Sequence, residues 1–211
     1  MGQLDASETA TVVVIDDDEN VREALVGLFH SVGLATETYS SVKAFVANDL
    51  ADRGSYCIVL DIRLPGQSGL EFQEALARDG DLRSVVLISA HVDVQMAVRA
   101  MKAGAVDVLT KPVREQDLLD AVNRGIERER ARRLSVTRSE DIGARYQTLS
   151  DREREIMNRV ASGMLNKQIA AEFDLSEATI KLHRSHVMQK MHASSLAELV
   201  RFADEVSRLK A

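Results

Sequence analysis

The sequence has no tryptophan, two prolines and one cysteine in 211 residues. Each scarcity excludes something. A single cysteine cannot close an internal disulfide, and Cys57, inside an apolar run, reads as a small buried hydrophobe. Two prolines and no tryptophan leave no Pro-rich or low-complexity tether. No apolar stretch approaches the roughly 18 residues of a membrane span. The polar start Gly2-Gln3-Leu4-Asp5 is unlike a signal peptide. The expected location is the cytoplasm, with no membrane partner.

What is present is ordinary in bulk: 45% hydrophobic and 28% charged residues, enough chain for one or two packed cores. The net charge of −6 hides an asymmetry. Residues 1–125 hold 11 basic and 20 acidic residues, net −9, whereas residues 126–211 hold 16 and 13, net +3. The acidic half is poorly suited to a polyanion and the basic half can meet one.

Four short apolar runs in the first half end in polar groups of related chemistry. Val12–Ile15 leads into Asp16-Asp17-Asp18, Cys57–Leu60 into Asp61, Val85–Ile88 into Ser89, and Val106–Leu109 through Thr110 into Lys111-Pro112. Such runs, separated by helix-length segments, read as buried parallel strands. Ala35–Tyr39 alternates and reads as an edge strand. Helices are expected after Asp18, ending at Gly33, and around 41–50, 68–79, 93–103 and 114–133. The fold class is therefore a doubly wound α/β sheet of five strands. Ligands of such sheets sit outside the carboxyl ends of the strands, so the acids, the hydroxyl and the ammonium gather on one rim.

Each rim residue also has a bland reading. Asp16, Asp17 and Asp18 read as a helix cap with first-turn acids, and Asp18 is the natural N-cap before Glu19. Capping does not account for Asp16 and Asp17 on a buried strand end. Two carboxylates about 4 Å apart repel by roughly 4 kcal/mol at an effective dielectric near 20, so the cluster needs a proton or a cation. Its hard oxygen donors suit Mg²⁺. Lys111 reads either as a surface amine or as an ammonium aimed at the site from an extended segment before Pro112.

Asp16-Asp17, Asp61-Ile62-Arg63-Leu64-Pro65-Gly66, Ser89 and Gly104-Ala105-Val106-Asp107 leading to Lys111-Pro112 resemble the receiver domain of two-component response regulators, over about residues 11–125. The resemblance implies a flavodoxin-like fold with strand order 2-1-3-4-5. It makes Asp61 the phosphoacceptor, and Asp16 and Asp17 the Mg²⁺-binding acids together with Asp61 and the backbone carbonyl of Arg63. Ser89 becomes the hydroxyl that turns to the phosphoryl group, and Lys111 the lysine that pairs with it. One position departs: Val108 stands where receivers usually carry an aromatic. A β-branched side chain has few χ1 states and cannot sweep the same volume.

From Ile126 to Thr148 apolar residues thin out and charges crowd, which predicts a helical tail passing into a flexible linker by Ser135–Gly143. Order resumes at Leu149. Ser150 and Glu153 form a capping box for a helix through Ile156 and Val160 to Gly163. Asn166 opens a short helix to Phe173, Asp174-Leu175 turns, and Ser176 caps a longer helix from Glu177 to about Met191. This is a helix-turn-helix pattern. Ile180, Val187 and Met191 form the inward stripe of the long helix. Lys181, Leu182, Ser185 and Gln189 form the outward stripe, with side-chain types that read base edges. Lys167, Thr179 and Arg184 are placed for phosphate. A basic face by itself is ordinarily only solvated; the surrounding motif makes these residues DNA-contact candidates.

Residues 149–211, with Leu-Ser-Asp-Arg-Glu-Arg-Glu, Asn166-Lys167, Ile169-Ala170 and Thr179-Ile180-Lys181-Leu182-His183, resemble the LuxR-type helix-turn-helix domain of the FixJ/NarL regulators. Asp61 through Gly69 points to the FixJ side. Leu165 stands where a Ser or Thr is common. The last helix, with Leu196, Leu199, Val200 and Val206, completes the core or pairs subunits. In the helix at 93–103, Ala97, Ala100, Met101 and Gly104 form the expected packing side, leaving Val94, Val98 and Lys102 exposed. The FixJ resemblance implies that this face pairs phosphorylated receivers.

The combined expectation is a disordered start at 1–10, a receiver at 11–125, a linker at 126–148 and a DNA-binding domain at 149–211. Its partners are a sensor histidine kinase, double-stranded promoter DNA, RNA polymerase and, when phosphorylated, a second copy. It is no enzyme beyond Mg²⁺-dependent self-phosphorylation and self-dephosphorylation at Asp61. Two alternatives stand beside it. One is a Mg²⁺-dependent aspartyl-phosphate hydrolase, weakened because Arg63 sits where such enzymes carry a second acid. The other is a constitutive DNA-binding protein whose receiver does not switch, which Val108 keeps open.

Overall fold

The computed structural model describes residues 10–48 and 54–209. The disordered start expected at 1–10 lies outside them except for Ala10, which is buried. Two compact units divide the chain, Met1–Arg133 and Leu134–Ala211.

The first unit alternates strands and helices: β1 Thr11–Ile15, α1 Glu19–Ser31, β2 Ala35–Tyr39, α2 Val42–Val46, β3 Tyr56–Asp61, α3 Gly69–Arg78, β4 Ser84–Ser89, α4 Val94–Lys102 and β5 Asp107–Thr110. The strands form one parallel sheet in the order β2-β1-β3-β4-β5. β3 and β4 are buried along their whole length, as their unbroken apolar runs require when helices cover both faces. β2 has only exposed and half-buried positions and lies at the edge. One core holds Ile15, Ile58, Leu60, Leu70 and Leu87 on one face of the sheet, and a second holds Val14, Phe29, Val59, Ile88 and Leu118 on the other. Register fixes the rim: Ile15 is level with Leu60, Asp61 with Ile88, and Ser89 with Thr110.

Helix ends follow local chemistry. Asp18 caps α1 by accepting the Asn20 N–H at 2.9 Å, and Gly33 beyond its end takes φ 80, the left-handed conformation that glycine tolerates best. The helix expected at 41–50 is described as Val42–Val46, and residues 49–50 lie outside the described set. α4 departs from expectation at one position. Ala100 is buried and Ala97 half-buried, but Met101 is 51% exposed. Met101 lies seven residues after Val94, nearly two full turns, and so falls beside Val94 and Val98 rather than beneath the helix.

The expected flexible stretch at Ser135–Gly143 is instead helical: α5 runs from Glu115 to Gln147. Ion pairs with helical spacing punctuate it, Glu129 with Arg132 and Arg133, and Asp141 with Arg145; such pairs support a polar helix. Near its end Ile142 and Tyr146, four residues apart, are buried in the core of the second unit.

The second unit continues with α6 Asp151–Ala161, α7 Asn166–Phe173, α8 Glu177–Lys190 and α9 Leu196–Leu209. The Ser150–Glu153 capping box starts α6. Asp174, at φ 52, makes the tight turn between α7 and α8. Ile156, Ile169, Ile180, Val187, Met191, Leu199 and Val206 share one core. α9 thus contributes Leu199 and Val206 to that core, while Leu196 is exposed.

Candidate functional site

Four strand ends meet at the rim of the sheet. Asp16 follows β1, Asp61 ends β3, Ser89 ends β4 and Lys111 follows β5. The backbone N–H of Lys111 donates to the Ser89 carbonyl at 2.8 Å, extending the β4–β5 ladder by one bond. That bond holds the lysine over the site. Its Nζ donates to Asp16 Oδ2 and Asp61 Oδ2, each at 2.6 Å. The remaining oxygens are held by the backbone: Asp16 Oδ1 accepts the Asp18 N–H at 2.9 Å, and Asp61 Oδ1 the Arg63 N–H at 2.8 Å.

Asp16 is fully buried and Asp61 nearly so, while Asp17 is exposed. Burial pushes the Asp16 carboxyl above its ordinary range, and the hydrogen bonds from Lys111 and Asp18 only partly offset this. Burial alone would lower Lys111, but its bonds to Asp16 and Asp61 raise it overall. The ammonium therefore stays charged. Asp16, Asp17 and Asp61 each offer one carboxylate oxygen, and these lie within 4.8 Å of one another. Three hard, anionic oxygen donors with one open to solvent fit a Mg²⁺ ion.

Ser89 is buried and engaged with its own loop. Its Oγ donates to the His91 carbonyl at 3.2 Å and accepts the His91 N–H at 3.4 Å. Val108 is half-buried against the core beneath the site. Two residues that hold the site were not singled out by sequence reasoning. Arg22, on α1, donates through Nη1 to the Asp16 carbonyl at 2.7 Å and so fixes the loop that carries the acids. Gly69, at the start of α3, lets that helix approach β3: a Cβ there would lie 2.2 Å from the Asp61 carbonyl oxygen. The Gly66–Gly69 spacing hinted at the second; nothing in the sequence marked the first.

The second candidate surface is α8. Lys181, Leu182, Ser185 and Gln189 are all exposed, whereas Ile180, Val187 and Met191 are buried, as the two-stripe pattern required. Lys167 is exposed on α7. Thr179 is half-buried and its hydroxyl bonds the Ser176 hydroxyl at 2.9 Å. Arg184 bonds the side chain of Asn166, tying α8 to the start of α7. Leu165 is exposed, and its N–H donates to the Gln168 side chain at 2.7 Å. On α4, Val94 is 80% exposed and Val98 46%, with Lys102 exposed beside them. Among the described residues no helix is long and apolar enough to cross a membrane.

Comparison with known proteins gives matches to both units. Residues 12–123 match the response regulator receiver domain, and residues 147–203 match the bacterial regulatory proteins of the luxR family. Nodulation protein W of Bradyrhizobium diazoefficiens is 46% identical over 203 residues, which cover 96% of this chain and 89% of that protein. Transcriptional regulatory protein FixJ of Rhizobium meliloti is 41% identical over 196 residues, 92% of this chain and 94% of that one. Among solved structures, response regulator StyR superposes with a TM-score of 0.82 at 40% identity, covering 93% of this chain and 99% of its own. Full-length FixJ from B. japonicum gives 0.55 at 36% identity, covering 94% and 97%.

Proposed function

This chain belongs to the FixJ-like response regulators, a receiver domain followed by a LuxR-type DNA-binding domain, and on that premise we propose that Asp61 is its phosphoacceptor and α8 its DNA-reading helix. Phosphorylation-dependent transcriptional regulation is the role of the family. The receiver implies a histidine kinase as partner, and the second domain implies DNA.

The observation that carries the reading is the double hydrogen bond of Lys111 to Asp16 and Asp61 at 2.6 Å. In the proposed reaction an Asp61 oxygen attacks the phosphorus of a phosphohistidine. The new bond is O–P and the broken bond is N–P; the phosphohistidine ring, protonated on its other nitrogen, takes the N–P electron pair and leaves as neutral imidazole. Asp16, Asp17, Asp61 and the Arg63 carbonyl would hold Mg²⁺. Bound there, the ion neutralises charge on the transferring phosphoryl group. Lys111, already charged and beside Asp61, would pair with a phosphoryl oxygen. Ser89 would exchange its loop bonds for one to the phosphoryl group and draw the β4–α4 loop with it. The α4 face of Val94, Val98 and Lys102 would then pair with a second copy. Two α8 helices would reach adjacent half-sites of promoter DNA in the cytoplasm, with RNA polymerase as the onward partner.

The test is chemical. A small phosphoryl donor with Mg²⁺ should label the protein at Asp61 alone, and chelation should stop the labelling. Undiminished labelling of Asp61→Ala, or labelling independent of metal, overturns the assignment.

A further inference from the structure

Two basic side chains meet the C-terminal end of α8, Lys190 from α8 itself and Arg145 from α5, and both are tied down by bonds within the unit. Lys190, the last residue of α8, directs Nζ to Glu153 Oε2 at 2.7 Å and to the Thr148 carbonyl at 3.5 Å. Glu153 is only 4% exposed, and the same Oε2 accepts the Ser150 N–H at 2.8 Å. Arg145, near the end of α5, donates through Nη1 to the Met191 carbonyl at 3.3 Å while its Nε and Nη2 grip Asp141. Met191 is the C-cap residue of α8 and is fully buried. The end of α8 is thus fastened at two points, to the first turn of α6 and to the last turns of α5.

A lysine on a DNA-reading helix is ordinarily a phosphate contact. Lys190 is differently constrained. The lysine side chain is 41% exposed, but if its ammonium left for a phosphate the buried Glu153 carboxylate would lose its nearest counter-charge and be left with the Ser150 N–H, with His186 Nδ1 4.0 Å from its other oxygen, so its departure is opposed. The burial of Glu153 opposes its charge, but the bonds from Lys190 and Ser150 hold its carboxyl below the usual range. The partner therefore stays ionised and keeps the lysine. α8 has 14 residues, a rod of about 21 Å at 1.5 Å per residue. Pivoting such a rod by about 5° moves its far end by roughly 2 Å, more than a hydrogen bond to a base edge tolerates.

We propose that Lys190 and Arg145 are positioning residues for DNA reading, which set the angle of α8 by anchoring its C-terminal end, and are not phosphate contacts. The inference rests on the assignment of α8 as the reading helix. Sequence preference is thereby controlled by residues that touch neither base nor phosphate.

The experiment uses the full chain with Mg²⁺ and acetyl phosphate present throughout. Two probes are compared, a duplex selected by the unmodified protein from a random library and a scrambled duplex of the same length. Lys190→Met should weaken binding to the selected duplex by about tenfold, the equivalent of one lost base contact. Binding to the scrambled duplex should not change, nor should the slope of log affinity against log salt. Arg145→Met should act in the same direction. Glu153→Gln keeps an acceptor for Ser150 and removes the charge, and the double variant with Lys190→Met should be no worse than Lys190→Met alone. A salt slope reduced by about 0.9 with preference intact would mark Lys190 as a phosphate contact and overturn the proposal. No change on either duplex, or equal loss on both with a lower urea midpoint, also overturns it. Lys181→Ala and Leu182→Ala are the controls. If they leave both duplexes unaffected, the assignment of α8 falls and this inference with it.

Discussion

The Nζ of Lys111 sits 2.6 Å from Oδ2 of Asp61, joining the residue after β5 to the last residue of β3 across the intervening β4. The same ammonium reaches the buried Asp16. One positive charge thus serves a cluster of three carboxylates, and the rim keeps an excess of negative charge that a cation relieves.

The burial of Asp16 sets stability against metal binding at that residue. Its carboxyl is raised, chiefly by burial, so the folded protein holds that proton more tightly than the unfolded chain does. In the absence of metal, this group makes stability fall as pH rises from near the ordinary carboxyl value of 3.8 to the folded value, and the penalty is complete above it. Asp16→Asn should therefore raise the urea midpoint of metal-free protein at neutral pH and abolish stabilisation by added MgCl₂. A variant that is less stable without metal and still stabilised by it would contradict the assigned role.

Gly69 and Gly125 separate loss of fold from loss of site. A Cβ at Gly69 would lie 2.2 Å from the Asp61 carbonyl oxygen, and one at Gly125 would lie 2.4 Å from Cys57 Sγ. Either alanine should destabilise the receiver by about 1–3 kcal/mol through overpacking. Only Gly69→Ala displaces the backbone of Asp61, so it alone should slow Asp61 labelling under conditions where both variants are fully folded. Equal labelling rates would show that the close approach serves packing and nothing else.

The exposed apolar stripe of α4 predicts an interface. Val94, Val98 and Met101 together give that helix more apolar surface than a solvent face needs. Val98→Asp should abolish a phosphorylation-dependent dimer while Asp61 labelling survives. Sedimentation of labelled protein decides it, and a wild-type monomer at every concentration would remove this mechanism.

On the DNA-binding unit, Lys181→Ala and Leu182→Ala should weaken specific binding, and loss of a base contact should relax sequence preference by about 1–3 kcal/mol. Lys167→Ala should weaken all sequences alike and lower the salt slope by about one. Selection from a random duplex library with each variant measures both. A Lys167→Ala protein with an altered preferred sequence would contradict the division between reading and anchoring.

Much of this was legible in the sequence because strong periodicity and strand-end chemistry are local signals. The runs at Val12–Ile15 and Cys57–Leu60 declared strands buried on both faces, and the polar residues after them lay at the sheet rim by geometry alone. The capping box at Ser150 and the two stripes of α8 were equally local. What escaped depended on tertiary context. The stretch Ser135–Gly143 reads as a linker in sequence because its helix is held by Ile142 and Tyr146, which find the core of the second unit. Met101 lies on the exposed side of α4, which its sequence position does not show, because a short helix with alanines on one face leaves the boundary of its buried stripe to the neighbouring elements. Arg22 escaped because its partner is a backbone carbonyl, which carries no sequence signature.

Phosphate at Asp61 should govern DNA binding by the whole chain. The measurement is the affinity of wild-type and Asp61→Ala protein for a duplex selected from a random library, with Mg²⁺ and with or without acetyl phosphate. The donor should tighten binding by the wild type at least tenfold and leave Asp61→Ala unchanged. Wild-type affinity indifferent to the donor, or an equal gain in Asp61→Ala, would contradict it.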